Sequence, residues 1–127
     1  MLLRNSNLSL DAHLDTVQNA VGSNVLLVKG FESVKKQHVD AIISRSRIAC
    51  NKTGNAGMTV GGTGDVLAGL AAGLLAQETD LFKSACAAAY ANGAAGGILL
   101  KKYGYGFTAS DLLQKIPEAL KPMWSIK

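Results

Sequence analysis

The sequence predicts an incomplete α/β fold, in which a few strands are followed only by helices. Residues 24–51 contain three short apolar segments with β-branched residues, which favour buried strands. Helical spacing of apolar residues precedes and follows them. This order is that of half a doubly wound sheet. Since 127 residues suffice for one domain with a core, we expect residues 1–127 to form a single partial domain.

One helix and three strands are expected in the first half of the chain. Ser9 can cap the helix, which ends near Val21. The strands are predicted at residues 24–29, 39–44 and 47–51. Gly30 closes the first strand, and residues 31–37 are polar enough to form a turn or an exposed excursion. The second and third strands are expected to form a hairpin around Arg45 and Ser46.

Three helices are predicted in the second half, at residues 63–77, 80–102 and 108–120. In the first of them, leucines form one face and small residues permit close backbone approach on another; the small residues are Ala68, Gly69, Ala72 and Gly73. Asp80 can cap the next helix, an Ala/Gly-rich segment that should pack tightly in the core. Thr108 and Asp111 have capping-box spacing before the last helix, which Pro117 should bend or interrupt.

The chain is mildly basic, with 13 lysines and arginines against 9 acidic residues. Much of the excess lies in one region, at Lys35, Lys36, Arg45, Arg47 and Lys52. Because aromatic residues make up only 6% of the chain, a phosphorylated small molecule is a better ligand than nucleic acid. The first ten residues are too polar for a signal peptide, and the apolar run 85–100 is shorter than the ~20 residues of a membrane span. The expected location is the cytoplasm, with Cys50 and Cys86 as free thiols.

A glycine-rich segment directly before the helix at residue 63 is the main candidate site. It consists of Gly61, Gly62, Thr63 and Gly64, called the glycine turn below, and Asp65 follows it. Glycines let a backbone approach a ligand closely, and the first N–H groups of a helix have no internal partner and carry partial positive charge. The turn therefore suits a phosphate. A carboxylate beside it would not help to hold an anion, but it could serve phosphoryl transfer.

Two common phosphate-binding motifs do not fit this segment. A Walker loop requires Lys and Ser or Thr after its last glycine, where this chain has Asp65 and Val66. A dinucleotide fingerprint requires a different glycine spacing, after the first strand of a βαβ unit. Both motifs are excluded.

The wider segment 51–77, NKTGNAGMTVGGTGDVLAGLAAGLLAQ, resembles the nucleotide-dependent NAD(P)H-hydrate dehydratases of the ribokinase-like superfamily. That family has an N-x-T-G-N-x-G-M segment and then G-G-T-G-D-V-L-A-G, and every position is met here. The resemblance includes Lys29-Gly30 upstream and residues 109–120 downstream, and thus covers roughly residues 10–120. It implies a ribokinase-like three-layer α/β/α fold, of which this chain is the C-terminal half.

The resemblance also implies roles for single residues. Lys29 and Gly30 would border the nucleotide, although a lysine at a strand end is often simply solvated. Asn55, Gly57 and Met58 would shape the loop on the nucleotide side. The backbone N–H groups of the glycine turn would hold the phosphate in transfer, and Asp65 would face the substrate hydroxyl. No metal-ligating residue is assigned.

The implied reaction repairs hydrated NADH or NADPH, which carries a hydroxyl on its nicotinamide ring. Hydroxide is a poor leaving group, so ADP or ATP first phosphorylates the hydroxyl, and elimination of phosphate restores the cofactor. Positioning and charge stabilisation dominate catalysis of phosphoryl transfer. Magnesium is expected on the nucleotide phosphates.

The chain departs from this family in two ways. Residues 31–38 separate Lys29-Gly30 from Val39-Asp40, which usually follow more closely. The family's domain is also about twice as long, and its first half supplies several strands and much of the substrate pocket. We therefore expect a homo-oligomer, or a partner that supplies the N-terminal half, because an incomplete sheet leaves an unpaired edge and uncovered apolar faces.

Two alternatives to the dehydratase remain open on the sequence. Ribokinase-like kinases of thiamine precursors, such as hydroxyethylthiazole or hydroxymethylpyrimidine kinase, share the GTGD turn, although the N-x-T-G-N-x-G-M segment argues against them. Alternatively, the short chain is a non-catalytic nucleotide-binding or structural module.

Overall fold

The computed structural model describes residues 13–32 and 38–124, and its elements confirm the predicted order of one helix, a few strands and then helices. The elements are α1 (Leu14–Val21), β1 (Leu26–Glu32), β2 (His38–Ile43), β3 (Ile48–Asn51), a 3₁₀ helix (Ala56–Thr59), α2 (Thr63–Leu75), α3 (Leu81–Tyr103) and α4 (Ala109–Trp124). Helix α1 ends at Val21 as predicted, while Ser9, its expected cap, lies outside the described residues.

The three strands form one antiparallel sheet in the order β1-β2-β3. The hairpin predicted between the second and third strands is confirmed, since Ile43 pairs with Ile48 and the Ser44 N–H donates to the Arg47 carbonyl at 2.8 Å. In this sheet β1 and β3 each pair along one side only. The described strands therefore leave two sheet edges unpaired.

The prediction that Gly30 ends the first strand is wrong. Strand β1 continues to Glu32, and its register with β2 shifts between Val28 and Phe31. Gly30 lies at this irregularity with φ of 66°, which glycine adopts without strain. The excursion expected at residues 31–37 is thus strand at its first two residues, and residues 33–37 are outside the described part of the chain.

Helices cover both faces of the sheet, which confirms a three-layer α/β/α arrangement. Neighbouring residues of a strand point to opposite faces. On β2, Ile43 packs with Leu14 and Val17 of α1, while Ile42 packs with Phe82 at the start of α3.

Helix α3 is the centre of the molecule, as its Ala/Gly-rich sequence predicted. Ala91 and Ala95 are fully buried and pack against Leu112 and Ile116 of α4. Small side chains let the neighbouring elements approach the α3 backbone closely. No helix in residues 13–32 and 38–124 is long and apolar enough to cross a membrane.

The predicted helix caps are formed. Asp80 caps α3 by accepting hydrogen bonds from the N–H groups of Phe82 and Lys83 at 2.9 and 3.1 Å. At the start of α4, the Thr108 N–H donates to Asp111 at 2.8 Å and the Asp111 N–H donates to the Thr108 hydroxyl at 3.2 Å.

One expectation about the helices is wrong, since Pro117 does not interrupt the last helix. Helix α4 continues through Pro117 to Trp124, because Ile116 and Leu120 are buried on either side of that proline and hold the helix on the core. The glycines of α2, Gly69 and Gly73, have open space beside them, so the small-residue face of α2 is not closely approached in the described structure. Close approach occurs on α3 instead.

Candidate functional site

The glycine turn lies at the start of α2, where its backbone N–H groups are available to a ligand. Gly62 is the N-cap residue, with φ of 92° and no side chain of the described residues capping the helix. The first main-chain bond of the helix runs from the Val66 N–H to the Gly62 carbonyl at 3.0 Å. Only glycine suits position 62, since an added Cβ would also lie 2.9 Å from the Ala109 side chain. This uncapped, positive helix end is suited to an anion.

Thr63 connects the glycine turn to strand β1. Its side chain is buried, at 3% exposure, and its hydroxyl lies 2.7 Å from the Met58 carbonyl, to which it donates. The Lys29 ammonium donates to the same hydroxyl at 2.7 Å and to the Met58 carbonyl at 3.4 Å. Burial lowers the pKa of Lys29, while the nearby charge of Asp40 opposes that shift. Lys29 is therefore a half-buried, bonded residue and not a solvated strand-end lysine.

A cavity of about 550 Å³ lies beside this contact. It is lined by Lys29, Gly30, Val39, Asp40, Lys52, Thr53, Gly54, Asn55, Ala56, Met58 and Thr59. Four of the residues predicted to border a nucleotide, Lys29, Gly30, Asn55 and Met58, thus share one cavity. Gly57 lies behind the lining, where it is buried against Phe107. The cavity and the glycine turn meet where Lys29 and Met58 bond to Thr63.

The wall of this cavity contains a hydrogen-bond network that sequence reasoning did not assign. Asn51 donates to Asp40 at 3.0 Å and to the Ala89 carbonyl of α3 at 2.9 Å, and it accepts from the Thr53 hydroxyl at 2.8 Å. Asp40 also accepts from the Gly30 N–H at 3.0 Å. The network ties the strands to the loop and to α3. The family pattern was the available signal for this network, because the segments compared with the family include Asp40, Asn51 and Thr53.

Sequence reasoning also assigned no role to Gly93 and Gly96 of α3, which fix the position of the loop that contains Thr53 and Met58. A Cβ at Gly93 would collide with Thr53, and one at Gly96 would collide with the Met58 side chain. No sequence signal distinguishes these glycines from those of α2, since both helices are rich in small residues.

Asn55 holds the loop and also has a free donor. Its Oδ1 accepts from the Gly57 N–H at 3.0 Å, which starts the 3₁₀ helix. Its Nδ2 is buried and has no partner among the described residues. Buried polar groups are normally paired, so a donor left open in a cavity wall is a candidate ligand contact. Asn92 in α3 is also buried, and its Oδ1 is unpaired in the described structure.

Asp65 lies in the first turn of α2, next to the glycine turn, and is exposed. It is accessible to a substrate hydroxyl, as its predicted role requires. Among the described residues, no group of three His, Cys, Asp or Glu side chains is placed to hold a metal ion.

The basic residues that lie close together in the sequence are separated in the described structure. Lys52 lines the cavity, but Arg47 pairs with Asp80 at 3.0 and 3.2 Å and stacks on Phe82 at 4.4 Å. Arg47 and Arg45 line a second cavity, of about 470 Å³, formed by the hairpin and the start of α3. Lys35 and Lys36 lie outside the described residues. Arg45 and Arg47 therefore do not lie at the cavity that Lys29 and Lys52 line.

Comparison with known proteins identifies a family. A family model described as NAD(P)H-hydrate dehydratase matches residues 9–118. The chain is 54% identical over 96 residues to a bifunctional NAD(P)H-hydrate repair enzyme of Archaeoglobus fulgidus, covering 76% of this chain and 19% of the relative. It is 44% identical over 93 residues to an ADP-dependent (S)-NAD(P)H-hydrate dehydratase of Cenarchaeum symbiosum, covering 73% of this chain and 32% of the relative.

A solved structure shows the same fold. The ADP/ATP-dependent NAD(P)H-hydrate dehydratase of Bacillus subtilis, co-crystallised with ATP/Mg²⁺, aligns with a TM-score of 0.66 at 21% identity. The alignment covers 89% of this chain and 40% of that structure. The chain thus spans less than half of the proteins it matches. The ribokinase-like fold expected from the sequence is confirmed, and the family match favours the dehydratase over the thiamine-precursor kinases.

Proposed function

The chain belongs to the NAD(P)H-hydrate dehydratase family, and from that membership we propose that it takes part in nucleotide-dependent repair of hydrated NADH or NADPH. Residues 1–127 would form part of a larger domain and hold the nucleotide and the phosphate in transfer. The observation that carries the proposal is the Thr63 contact, which joins a cavity to an uncapped helix start followed by Asp65. At about 550 Å³ the cavity has the size usual for small-molecule sites, ~300–1,000 Å³.

The nucleotide would lie in the cavity, with its terminal phosphate at the glycine turn. Lys29, Gly30 and Met58 line the cavity, and the unpaired Asn55 amide gives it a donor. Gly57 holds the loop in place from behind. The N–H groups of Gly61, Gly62, Thr63 and Gly64 would stabilise the charge on the transferred phosphoryl group.

Asp65 would act on the substrate hydroxyl. As the hydroxyl oxygen bonds to the terminal phosphorus of ADP or ATP, the bond to the bridging oxygen breaks and the hydroxyl proton passes to the Asp65 carboxylate. Phosphate then leaves with the electron pair of its carbon–oxygen bond, a proton leaves the neighbouring carbon, and the ring double bond returns. Magnesium would be held mainly by the nucleotide phosphates, whose charge it offsets.

The nicotinamide side of the site would come from another segment or chain. The described residues leave both sheet edges and the small-residue face of α2 uncovered, and Tyr105 and Trp124 are 65% and 55% exposed. We propose that an N-terminal half, in the same chain, in a partner chain or in a second copy, covers part of this surface. The proposed location is the cytoplasm, where Cys50 and Cys86 stay as free thiols.

The test combines the chain with the N-terminal half of a family member and supplies hydrated NADH and ADP or ATP with magnesium. The measured quantity is the return of NADH absorbance. We expect a nucleotide-dependent return in the wild type. Asp65→Asn should lower the rate by at least about a hundredfold while still binding nucleotide. Asp15→Asn is the matched control, because Asp15 is also an exposed aspartate in the first turn of a helix. Full turnover by Asp65→Asn would remove Asp65 from its role, and no return with wild-type protein would refute the dehydratase proposal.

A non-catalytic module would behave differently in the same experiment. Binding of ADP should stabilise it, since a ligand that binds only the folded state raises the melting temperature. No absorbance would return. Nucleotide-dependent phosphorylation of hydroxyethylthiazole or hydroxymethylpyrimidine would instead support a thiamine-precursor kinase.

A further inference from the structure

Lys29 is the one charged side chain that bridges the cavity and the glycine turn in the described structure. Its ammonium lies 2.7 Å from the Thr63 hydroxyl and 3.4 Å from the Met58 carbonyl. Met58 lines the cavity, and Thr63 is the first residue of α2. A lysine ammonium has three donors, so these two bonds occupy most of its capacity.

We propose that Lys29 is a positioning residue that acts on the bound phosphate through Thr63, by fixing the geometry of the glycine turn. The proposal rests on the proposed function only in that a phosphate binds at this turn. It differs from a simple border contact, since Lys29 would act through the Thr63 hydroxyl and not as a direct ligand of the phosphate.

The direction of the hydrogen bonds supports this role. The Thr63 hydroxyl has one proton, and the Met58 carbonyl at 2.7 Å is a nearer acceptor than the Val60 carbonyl at 3.1 Å. With its proton given to Met58, the oxygen is left as the acceptor for Lys29. Lysine, threonine and the main chain of the 3₁₀ helix therefore form one closed set of bonds.

The burial of Thr63 makes this set hard to replace. At 3% exposure, water has little access to its hydroxyl if Lys29 is removed. The hydroxyl would then lack its charged donor, and the N–H groups on either side would lose the constraint that aims them. The positive charge of Lys29 would be lost as well, and this charge adds to that of the nearby helix start, where the phosphate would bind.

The test is a double-mutant cycle on the affinity for ADP with magnesium, measured by calorimetry. Lys29→Met and Thr63→Val should each weaken binding by about tenfold or more, as expected for a lost hydrogen bond to a charged group. If Lys29 acts through Thr63, the double variant should bind ADP no more weakly than whichever single variant has the lower affinity. If the fold-losses in affinity of the two single variants instead multiply in the double variant, Lys29 makes a separate, direct contact and the proposal is overturned.

Conservative variants separate positioning from general damage. Thr63→Ser keeps the hydroxyl and should restore most of the affinity lost in Thr63→Val. Thr16→Val, at an exposed threonine of α1, is the control for a threonine-to-valine change away from the site. Equal weakening by Thr63→Ser and Thr63→Val would contradict the role of the hydroxyl.

Amide NMR spectra without nucleotide distinguish failure of this inference from failure of the proposed function. Lys29→Met and Thr63→Val should both shift the Gly62 and Gly64 resonances and speed their hydrogen exchange, whereas Thr63→Ser should not. These spectra test the positioning role even if the wild type binds no ADP, which by itself would refute the proposed function. Unchanged Gly62 and Gly64 resonances in folded Lys29→Met would refute the positioning role.

Discussion

Replacing Gly93 by alanine tests how the cavity wall is held in place. Gly93 lies in the interior of α3, where its φ is ordinary for a helix, so the substitution adds only a methyl group. That methyl carbon would lie 2.6 Å from the main-chain carbonyl carbon of Thr53, well inside contact distance. Because main chain cannot rotate away as a side chain can, the loop must shift.

The expected effect combines three contributions. Overpacking of a tight contact costs about 1–3 kcal/mol. Displacing Thr53 disturbs the bond from its hydroxyl to Asn51, at 2.8 Å, which is worth about 1 kcal/mol. The higher helix propensity of alanine returns about 1 kcal/mol. We therefore expect the free energy of unfolding to fall by about 1–3 kcal/mol.

Two other glycines of α3 provide matched controls. Gly97 has open space around it, so Gly97→Ala should increase the free energy of unfolding by up to about 1 kcal/mol. At Gly96 the methyl group would meet the sulfur and Cγ of the flexible Met58 side chain, which can move at lower cost. Gly96→Ala should fall between the other two variants.

Urea denaturation of the three variants measures this order, with nucleotide affinity as a second readout. Gly93→Ala should also weaken ADP binding, because Thr53 lines the cavity. The reasoning would be refuted if Gly93→Ala and Gly97→Ala were equally stable, since the Thr53 contact would then impose no constraint.

The Asp80 cap and the half-buried Lys29 give two pH-dependent predictions. The bonds from Arg47 and from the Lys83 N–H lower the pKa of Asp80 from 3.8 to about 2, so its stabilisation is complete above pH 3.8 and is lost as the pH falls through about 2. Asp80→Ala should lower Tm at neutral pH, and its difference from wild type should shrink across that window; a constant difference would contradict the pairing. Burial lowers the pKa of Lys29 below its usual 10.5. Between these two pKa values the folded state binds fewer protons than the unfolded state. The free energy of unfolding should therefore rise with pH in this range. ADP affinity should fall over the same window as the ammonium is lost. Lys29→Arg, with Asp40 and Lys52 unchanged around it, should lose both dependences, and an identical pH profile would refute the assignment.

Much of the local structure follows from nearby residues and was predictable. The glycine turn, the Asp80 cap and the Thr108–Asp111 box depend on side chains and backbone within a few positions, so the sequence predicts them directly. The resemblance to the family also predicted four of the residues that line the cavity.

Contacts between distant residues were not predictable in the same way. Gly93 and Gly69 are both glycines in helices of small residues, and only the position of Thr53 makes one of them essential. The bond from Lys29 to Thr63 spans 34 positions, so no local pattern reveals it. The course of β1 past Gly30 likewise depends on its pairing with β2, which overrides the usual meaning of a glycine after an apolar run.

The central claim is that the cavity and the glycine turn together bind a nucleotide through its phosphates. Amide NMR spectra of the chain, titrated with ADP and magnesium, test it most directly because they locate the ligand residue by residue. We predict the largest shifts at Gly61, Gly62 and Gly64, with further shifts at Gly30 and Asn55. Shifts confined to the second cavity around Arg45, or no shifts at millimolar ADP, would contradict the claim.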